Sequence, residues 1–562
     1  MKKIIATALI VLSISMLGGC TGKNTNQTST NITGTPEAIT EPTTTPLDSD
    51  TTEDNQQPVI STLYPAYKII AGEKKYGFID KTGSFVIEPV FSFATDFSDE
   101  RAVVSNLENG NFTDKVIDLS GNVIFDKDYD VEAFHNQVAI ISDKETYKKG
   151  YIDINGNIIV EPKYNIATDF DDNGKAFVLT ESGKYELIDM KGTTVESIDL
   201  GDNVSFVIDY KDGYVIYSDA NTMNVGVIKV NGETILEPNY REITYLGNDL
   251  FGVKEVSTDP YTTPDSSPSA IFDKTGKQIT EYIYYDLTTF NNGYASATDS
   301  TSTYFIGLDG KVATNMPKLD GRGTLILLDD MIKADIDKDL LYLTPDNKIL
   351  WQNDTTRLLS SDIKIQSVKL KPNKYVLVYY PVVDGLQDDA VESKINDQLK
   401  QIFVDNRKDL KEEEYLSVED TFTAELKNNL LIIKRSGYDY NFGAAHGMPI
   451  KDYYHIDINT GDFYSLDDLF KKDSDYVTKL NDIILEKINK AAEDPNSMIF
   501  VDSFETINDN QFFTVTDNSL IIYFYPYEIA AYAAGFPEFE IPFDEINDMI
   551  DTNGAFWNSF QK

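Results

Sequence analysis

The sequence predicts a mainly β protein that ends in a smaller α+β region. Three observations predict this architecture: a phrase that recurs about every 38 residues, glycine turns between Val- and Ile-rich segments, and helical spacing of apolar residues only beyond about residue 360. With 562 residues the chain is longer than one hydrophobic core usually serves, so several domains are expected.

Composition and charge exclude several classes of protein. The chain has 49 Lys and Arg against 92 Asp and Glu, a formal net charge of −43, whereas sequence-independent nucleic-acid binding needs clustered cations. Hydrophobic residues make up 41% of the chain, which is enough to build cores. The single Cys excludes an intramolecular disulfide and a cysteine-rich zinc site, and the three His leave little for a His-based metal site or for catalysis. We therefore expect neither a metal nor another cofactor.

The N-terminal segment has the pattern of a signal peptide. Lys2 and Lys3 precede an apolar run, Ile4–Leu17, that is shorter than the roughly 20 residues of a membrane-spanning helix. The run ends in Leu17-Gly18-Gly19-Cys20, which resembles a bacterial lipoprotein lipobox. The resemblance implies that residues 1–19 are removed and that Cys20 carries a diacylglycerol, which would anchor the protein on the outer side of the bacterial cell membrane. An ordinary secretory signal with an incidental Cys is the alternative.

Residues 20–60 are predicted to form a flexible tether. They are rich in Thr, Asn, Asp and Pro and hold almost no large apolar side chains, so they cannot bury enough surface to offset the entropy of ordering. A flexible chain of this length has a root-mean-square span of about 35 Å.

A repeat occupies residues 61–358. The clearest copies begin at Tyr76, Gly150 and Gly226 and share a strand, a glycine turn, a Val- and Ile-rich strand and Glu-Pro. Eight positions align on the turn: Gly83, Gly121, Gly156, Gly192, Gly232, Gly276, Gly310 and Asn347.

Each copy has the length and pattern of a small antiparallel sheet. Glycine supplies the positive φ of a tight hairpin, and we expect Glu-Pro to end the second strand because proline cannot donate to a β-ladder. Three to four strands per copy favour a β-propeller-like array of seven to eight small sheets over a solenoid.

The repeat resembles the WG-repeat family, in which a Trp-Gly pair precedes Ile-Asp-x-x-Gly. In this chain Tyr76 replaces the Trp of the first copy, and the other copies lack it. The resemblance covers about residues 64–352 and implies a β-rich scaffold, often in secreted or surface proteins, with no common ligand. The Asp residues before the turn glycines could be mistaken for a ring of catalytic carboxylates, but we expect each to accept hydrogen bonds from its own turn.

Beyond residue 359 the pattern changes to α+β. Residues 388–404, 477–491 and 543–550 have helical spacing, whereas 374–381, 430–434 and 520–525 read as strands. The strands and helices are too close for a doubly wound sheet, so a mainly antiparallel sheet with helices is predicted for residues 359–562.

Two stretches of this region carry a second resemblance. They are 443–470, which contains Gly-Ala-Ala-His-Gly, and 522–543, which contains Tyr-Phe-Tyr-Pro-Tyr-Glu-Ile-Ala-Ala-Tyr. Together they resemble the extracytoplasmic domain shared by RsiV-type anti-sigma factors and by the non-catalytic part of PdaC-type peptidoglycan deacetylases. In the anti-sigma members this domain binds lysozyme. Since neither a deacetylase domain nor a sigma-binding segment is recognisable, we expect no transmembrane signalling by proteolysis.

His446 is the residue that most resembles a catalytic group. Nucleophilic catalysis would require an activated Ser or Cys with an orienting acid, and zinc would require further ligands of which His455 is the nearest imidazole. We therefore favour a loop-shaping or partner-contacting role for His446, and we name Tyr453, Tyr527 and Tyr532 as further partner-binding candidates. The alternating tyrosines of 523–532 could instead pack in the core or form a sugar platform. Asp335, Asp337 and Asp339 alternate as in a calcium loop but lack its glycine.

Two functions are compatible with these patterns. The preferred one is a non-enzymatic, lipid-anchored scaffold or binding protein of the cell envelope that recognises a cationic protein such as lysozyme, or cell-wall material. The alternative is a cell-wall glycan-modifying enzyme that uses two of the many carboxylates. The negative charge suits a cationic partner, but it would equally serve solubility on a crowded anionic surface.

Overall fold

Strands are the main regular secondary structure downstream of the predicted tether. The computed structural model describes residues 62–70, 73–108, 111–257, 267–494, 497–508 and 510–561. The predicted signal peptide, Cys20 and the tether lie outside the described residues, so their interpretation stays a prediction. In the described ranges no helix is long and apolar enough to cross a membrane.

The repeats form seven antiparallel sheets, in which strands that are consecutive in sequence are also neighbours in space. The first four sheets are sheet 1 with β1 (Tyr64–Ile70), β2 (Glu73–Ile79) and β3 (Phe85–Phe91); sheet 2 with β4 (Phe93–Ala94), β5 (Ala102–Glu108), β6 (Asn111–Ile117) and β7 (Val123–Phe125); sheet 3 with β8 (Tyr129–Val131), β9 (Val138–Asp143), β10 (Lys149–Asp153) and β11 (Ile158–Tyr164); and sheet 4 with β12 (Ile166–Ala167), β13 (Lys175–Leu179), β14 (Tyr185–Asp189) and β15 (Thr194–Ile198).

The remaining three sheets are sheet 5 with β16 (Val204–Lys211), β17 (Tyr214–Asp219), β18 (Val225–Lys229), β19 (Thr234–Gly247), β20 (Leu250–Glu255) and β21 (Ser269–Asp273); sheet 6 with β22 (Tyr294–Thr298), β23 (Ser302–Gly307) and β24 (Lys318–Asp320); and sheet 7 with β25 (Gly323–Leu328), β26 (Met331–Ile336), β27 (Asp339–Leu343) and β28 (Ile349–Gln352). Sheet 5 joins the fifth and sixth units through the long strand β19. The prediction of seven to eight small antiparallel sheets is confirmed.

The units bury their apolar faces against one another. Each of eight apolar clusters joins consecutive units, and the last one joins β26 and β27 to β1 and β2. In that cluster Tyr342 is fully buried and donates a hydrogen bond to the carbonyl oxygen of Pro65 at 2.8 Å. In the described part of the array, the last unit therefore packs against the first, and the packing order is cyclic.

The aspartates before the turn glycines accept hydrogen bonds from their own hairpins. The Oδ1 atom of Asp153 lies 2.8 Å from the backbone nitrogens of both Asn155 and Asn157. The same two bonds recur at the equivalent carboxylates, which are Asp80, Asp118, Asp189 and Asp273. Partial burial would raise the pKa of Asp153, but the bonds from Asn157 and Asn155 outweigh it and hold this pKa below its usual range. The predicted turn role of these carboxylates is confirmed.

The expectation that Glu-Pro ends the second strand is wrong. Strands β3, β11 and β19 all continue through Glu-Pro, which forms a bulge opposite the glycine of the preceding strand. A Cβ atom on Gly77, Gly150 or Gly226 would lie less than 3 Å from the carbonyl oxygen before Glu-Pro. The glycine of the repeat phrase is thus required by the close approach of the bulge.

The C-terminal region contains a seven-stranded sheet with helices on both faces, and a second sheet of three strands. Sheet 8 contains β29 (Arg357–Leu358), β30 (Lys364–Leu370), β31 (Val376–Asp384), β32 (Leu416–Lys427), β33 (Leu430–Asn441), β34 (Met448–Asp457) and β35 (Phe463–Tyr464), and sheet 9 contains β36 (Phe513–Val515), β37 (Ser519–Tyr523) and β38 (Glu538–Pro542). The helices are α1 (Asp389–Val404), α2 (Tyr476–Ala491), α3 (Phe543–Ile546) and α4 (Ala555–Gln561).

Successive side chains of β33 point to opposite faces of sheet 8, so they pack into two separate cores. Leu431 and Ile433 pack with α1 on one face, whereas Leu430 and Ile432 pack with α2 and sheet 9 on the other. All pairs in sheet 8 are antiparallel except β31 with β32, whose parallel connection runs through α1. The predicted mixed sheet with helices is confirmed, although the last predicted helix ends already at Ile546.

The hairpin between β26 and β27 contacts sheet 8. The buried carboxylate of Asp337 binds Lys371 and lies 2.9 Å from the ammonium nitrogen of Lys369. The Tyr379 hydroxyl donates to Asp339 at 2.5 Å. The alternating aspartates that resembled a calcium loop thus include two that bind side chains of the C-terminal region.

Candidate functional site

The loop between β33 and β34 carries His446 to the end of sheet 8. Gly443 turns the chain with φ of +85°, and the Phe442 N–H donates to the Tyr415 carbonyl at 2.8 Å. Gly447 closes the loop and donates its N–H to the Tyr438 hydroxyl at 2.8 Å. A side chain at Gly447 would meet the Tyr438 ring, so the glycine is needed for this contact.

The His446 ring is held at both nitrogens. Its Nδ1 lies 2.9 Å from the Gly447 carbonyl oxygen and must donate, because a carbonyl can only accept. The Nε2 atom lies 2.8 Å from the Tyr527 hydroxyl oxygen. The ring also stacks on Tyr532 at 3.9 Å between centroids. The described hydrogen-bond partners of His446 include neither a carboxylate nor a Ser or Cys.

Tyr527 and Tyr532 come from the loop between β37 and β38. The Tyr532 hydroxyl donates to the Gly447 carbonyl at 3.0 Å, and burial together with Tyr438 raises the pKa of Tyr532 to about 12, so the donor proton is retained at neutral pH. Tyr527 has φ of +74°, which for a residue with a bulky side chain costs roughly 1–2 kcal/mol. The residue is nevertheless 54% exposed. We call Tyr438, His446, Tyr527 and Tyr532 the aromatic surface.

Three of the four partner-binding candidates meet in this surface, and Tyr453 does not. Tyr453 lies on β34 against the α2-side core, with its ring 5.8 Å from that of Tyr523. Burial raises the pKa of Tyr453 to about 12. Tyr438 was missed by the sequence reasoning, although its position in a Tyr-Asp-Tyr alternation just before the glycine loop was a usable signal.

A second cluster surrounds Lys451 on β34. Its ammonium lies 4.8 Å from the Tyr523 ring centroid and 5.4 Å from that of Phe536, and it binds the carboxylate of Glu538. The Tyr523 hydroxyl donates to the Lys451 carbonyl at 2.8 Å. These contacts fix the Tyr527 loop and β38 to sheet 8.

The second imidazole of this region belongs to the core. His455 is buried, stacks on Phe513 at 4.5 Å and has its Nε2 atom 3.3 Å from the Thr514 hydroxyl. Burial lowers the pKa of His455 to about 3, so the ring is neutral near pH 7. Within the residues that the structure describes, no three His, Cys, Asp or Glu side chains are placed to hold a metal ion together.

A groove of about 570 Å³ runs between α2 and β38. Three of its lining residues are acidic: Glu538, Glu540 and Glu545. Glu538 binds Lys451, and Glu540 accepts a hydrogen bond from the Ser519 hydroxyl at 2.9 Å. Two of the three carboxylates therefore already have protein partners.

Comparison with protein families gives matches to segments in both parts of the chain. The family described as "WG containing repeat" matches residues 76–109, 150–185 and 271–298, and the family described as "Protein of unknown function (DUF3298)" matches residues 467–544. The chain combines WG repeats with a C-terminal DUF3298 domain. We use "DUF3298 domain" below for the α+β region and "WG array" for the seven sheets.

Individual relatives are similar to parts of the chain. The peptidoglycan-N-acetylmuramic acid deacetylase PdaC of Bacillus subtilis is 25% identical over 182 residues, which are 31% of this chain and 38% of that enzyme, so the likeness spans well under half of the deacetylase. A solved DUF3298-family structure from Bacteroides fragilis is 17% identical with a TM-score of 0.28, and it covers 37% of this chain and 99% of its own.

A further solved structure is similar to part of the chain. Hsv2p of Kluyveromyces lactis is 10% identical with a TM-score of 0.28, and it covers 49% of this chain and 93% of its own. WG-repeat and DUF3298 domains are of the extracytoplasmic type, and together they fit a cell-envelope protein.

Proposed function

We propose that this protein is a non-enzymatic, lipid-anchored binding protein of the bacterial cell envelope, whose DUF3298 domain holds a cationic protein on the aromatic surface. A lysozyme is the first candidate, because the resemblance to RsiV-type domains implies it. The observation that carries the proposal is the set of exposed and half-buried rings around His446, which internal hydrogen bonds hold in place.

The aromatic surface has the properties of a protein-binding hot spot. Tyrosine rings supply large contact areas with few rotatable bonds, and their faces attract Lys and Arg side chains. Since the Tyr527 and Tyr532 hydroxyls are already bonded, these side chains lose little freedom when a partner binds. The exposed ring of Tyr527 would make the central contact.

The charge of the chain supports a cationic partner. A net charge of −43 accelerates the encounter with basic proteins, and screening by salt weakens this attraction. Lysozymes are strongly basic. The proposal therefore requires a complex that weakens as ionic strength rises.

A titration with hen lysozyme tests this proposal. We expect residues 21–562 to bind with micromolar or tighter affinity at low salt, and Tyr527→Ala to weaken the complex by at least about tenfold, because hot-spot tyrosines contribute on the order of 2 kcal/mol. Tyr147→Ala is the matched control, since Tyr147 is also an exposed tyrosine with positive φ but lies in the WG array. Absence of a complex at low salt, or equal effects of the two substitutions, would contradict the proposal.

The non-enzymatic part of the proposal rests on His446. Both ring nitrogens are occupied by a carbonyl and a tyrosine hydroxyl, so the ring lacks the nucleophile and the orienting acid of a hydrolase. We expect purified protein to release neither acetate nor new reducing ends from peptidoglycan. Turnover that His446→Ala abolishes would favour the glycan-modifying alternative.

The anchor is tested separately from binding. Fractionation of cells that express the whole chain should place the protein with the membrane, and Cys20→Ser should shift it to the soluble or released fraction because the acyl chains are lost. Membrane association that is unchanged by Cys20→Ser would contradict lipidation without affecting the binding proposal.

A further inference from the structure

Strand β38 has a backbone edge that no other described strand covers. It is the outer strand of sheet 9 and pairs only with β37 in the part of the chain that the structure describes. The Phe524 N–H donates to the Pro537 carbonyl at 3.1 Å, and the Phe543 N–H donates to the Asn518 carbonyl at 2.9 Å.

These two hydrogen bonds show which N–H and C=O groups of β38 point toward β37 and which point away from it. In an antiparallel pair, residues alternate between those that exchange hydrogen bonds with the neighbouring strand and those that face away. Because Pro537 and Phe543 face β37, Phe539 also does, whereas Glu538 and Glu540 direct their N–H and C=O groups outward. The free edge thus offers two donors and two acceptors in extended geometry.

The groove described above lies along this edge. Lys487 and Ala491 of α2 and Ile499 line it beside β38. Phe539 and Ile541 are buried in the core on the α2 side, while the side chains of Glu538 and Glu540 alternate with them and are exposed. A strand laid in the groove would therefore meet apolar atoms on one face and carboxylates on the other.

We propose that this edge binds an extended basic segment of a partner protein by antiparallel strand addition, with Lys or Arg beside Glu538 and Glu540 and small apolar side chains toward α2. The choice of a cationic partner rests on the proposed function, but the site is distinct from the aromatic surface. Pro537 and Pro542 flank the open positions and limit the paired segment to about four residues.

A second copy of β38 is a poorer occupant of the same edge. Antiparallel pairing of two copies would place the acidic side chains of both strands beside one another, and like charges directly opposite destabilise strand pairs. Glu545, which is exposed and lines the groove, adds to this repulsion. Glu540 and Glu545, which are not paired with Lys451, attract a basic strand.

Fluorescent peptides with blocked termini test this inference, and the protein in the experiment comprises residues 21–562. The probe is the pentapeptide lysyl-valyl-lysyl-valyl-lysine, and its binding is measured by fluorescence anisotropy at about 50 mM salt, with the glutamyl analogue as the charge control. In antiparallel pairing the lysine amides point to β38 and the valine amides point to solvent. N-methylation of the lysine amides should weaken binding by at least about tenfold, whereas N-methylation of the valine amides should change it less than about threefold.

Substitutions in the groove separate this site from the aromatic surface. Glu540→Gln with Glu545→Gln should weaken peptide binding about fivefold or more, because the amide keeps the bond from Ser519 but removes the charge. Glu486→Gln with Glu493→Gln, two exposed acids of the same domain outside the groove lining, is the matched control. Tyr527→Ala should leave peptide binding unchanged.

Three outcomes would overturn the inference: no peptide binding, equal loss from both N-methylated peptides, or self-association of the chain through β38. Each of these could occur while lysozyme still binds in a Tyr527-dependent way, in which case the proposed function stands without this site. Conversely, peptide binding without lysozyme binding would leave the edge site intact and remove the proposed function.

Discussion

The WG array and the DUF3298 domain bury apolar surface in different ways. Each of the eight array clusters holds between six and eleven buried residues and is shared by consecutive units. The DUF3298 domain instead has cores of 13 and 24 buried residues on the two faces of one sheet. The array therefore depends on every interface, including its closure, whereas the domain can keep its cores while its loops diverge to bind a partner.

The two tryptophans report on the two regions separately. Trp351 packs against Tyr67, Phe85 and Tyr342 in the cluster that closes the array. Trp557 packs against Phe543 and Phe560 in the α2-side core of the DUF3298 domain. Trp557→Phe thus leaves a fluorescent reporter of the array, and Trp351→Phe leaves one of the domain.

The largest effect is expected from opening the array. Tyr342→Ala removes a fully buried ring at the junction of the last and first units together with its bond to Pro65. We expect the free energy of unfolding reported by Trp351 to fall by about 3–5 kcal/mol, the usual cost of truncating a buried aromatic residue. Urea unfolding in the Trp557→Phe background measures this, and Tyr147→Ala is the control. A loss below about 1 kcal/mol would show that the array does not depend on closure.

The second largest loss of stability is expected from breaking the contact between the WG array and the DUF3298 domain. Asp337→Ala leaves Lys369 and Lys371 without their buried carboxylate and should cost about 3 kcal/mol. We expect the unfolding transitions reported by Trp351 and Trp557 to separate in this variant and to coincide in the parent chain. Asp335→Ala, at an exposed position on the same hairpin, is the control. Coincident transitions in Asp337→Ala would contradict a coupling role.

Acid should destabilise the DUF3298 domain before the array. Burial lowers the pKa of His455 to about 3, so the unfolded chain takes up its proton at higher pH than the folded one, and stability is full above pH 6.5 and falls toward pH 3. In the Asp337→Ala background, where the two transitions separate, we expect the free energy of unfolding reported by Trp557 to fall by about 2–3 kcal/mol from pH 7 to 4.5, as measured by urea unfolding.

The turn carboxylates of the array stabilise the fold in their charged form, whereas His455 does so in its neutral form. Hydrogen bonds hold the pKa of Asp80, Asp118 and Asp153 below the usual range despite partial burial, so their contribution is lost only below about pH 4. His455→Phe should abolish the loss at Trp557 between pH 7 and 4.5. If the Trp351 transition weakened first, this assignment would be wrong.

The smallest effect concerns the glycine of the repeat phrase. Gly150→Ala places a Cβ against the Glu-Pro bulge and should cost about 2 kcal/mol, a typical cost of overpacking. Gly183→Ala is the matched control: its Cβ would meet open space, so only its φ of +80° contributes, about 1 kcal/mol. Thermal unfolding of the two variants gives the comparison. A smaller loss from Gly150→Ala than from Gly183→Ala would contradict the bulge explanation.

Local chemistry made much of the array predictable. A turn glycine with positive φ and an aspartate that accepts from its own hairpin are determined by neighbouring residues, and both were confirmed at Asp153 and Gly156. The Glu-Pro bulge was missed because it depends on a glycine in another strand. The helical spacing of 388–404 predicted α1, but not that α1 would connect the one parallel pair of sheet 8.

The candidate site was only partly predictable for the same reason. His446, Tyr527 and Tyr532 stood out as aromatic residues in two glycine- and alanine-rich loops, yet their meeting depends on how sheets 8 and 9 pack. Tyr438 joins them through a bond to Gly447 that the strand pattern alone does not encode. The lipid anchor at Cys20 stays a prediction.

Hydrogen exchange with and without hen lysozyme tests the central claim most directly, namely that binding belongs to the DUF3298 domain and scaffolding to the WG array. We predict slower exchange confined to peptides from 438–453 and 523–542, which carry the aromatic surface and β38, with no change across sheets 1 to 7. Protection spread over the array hairpins, or no protection anywhere at low salt, would contradict the account.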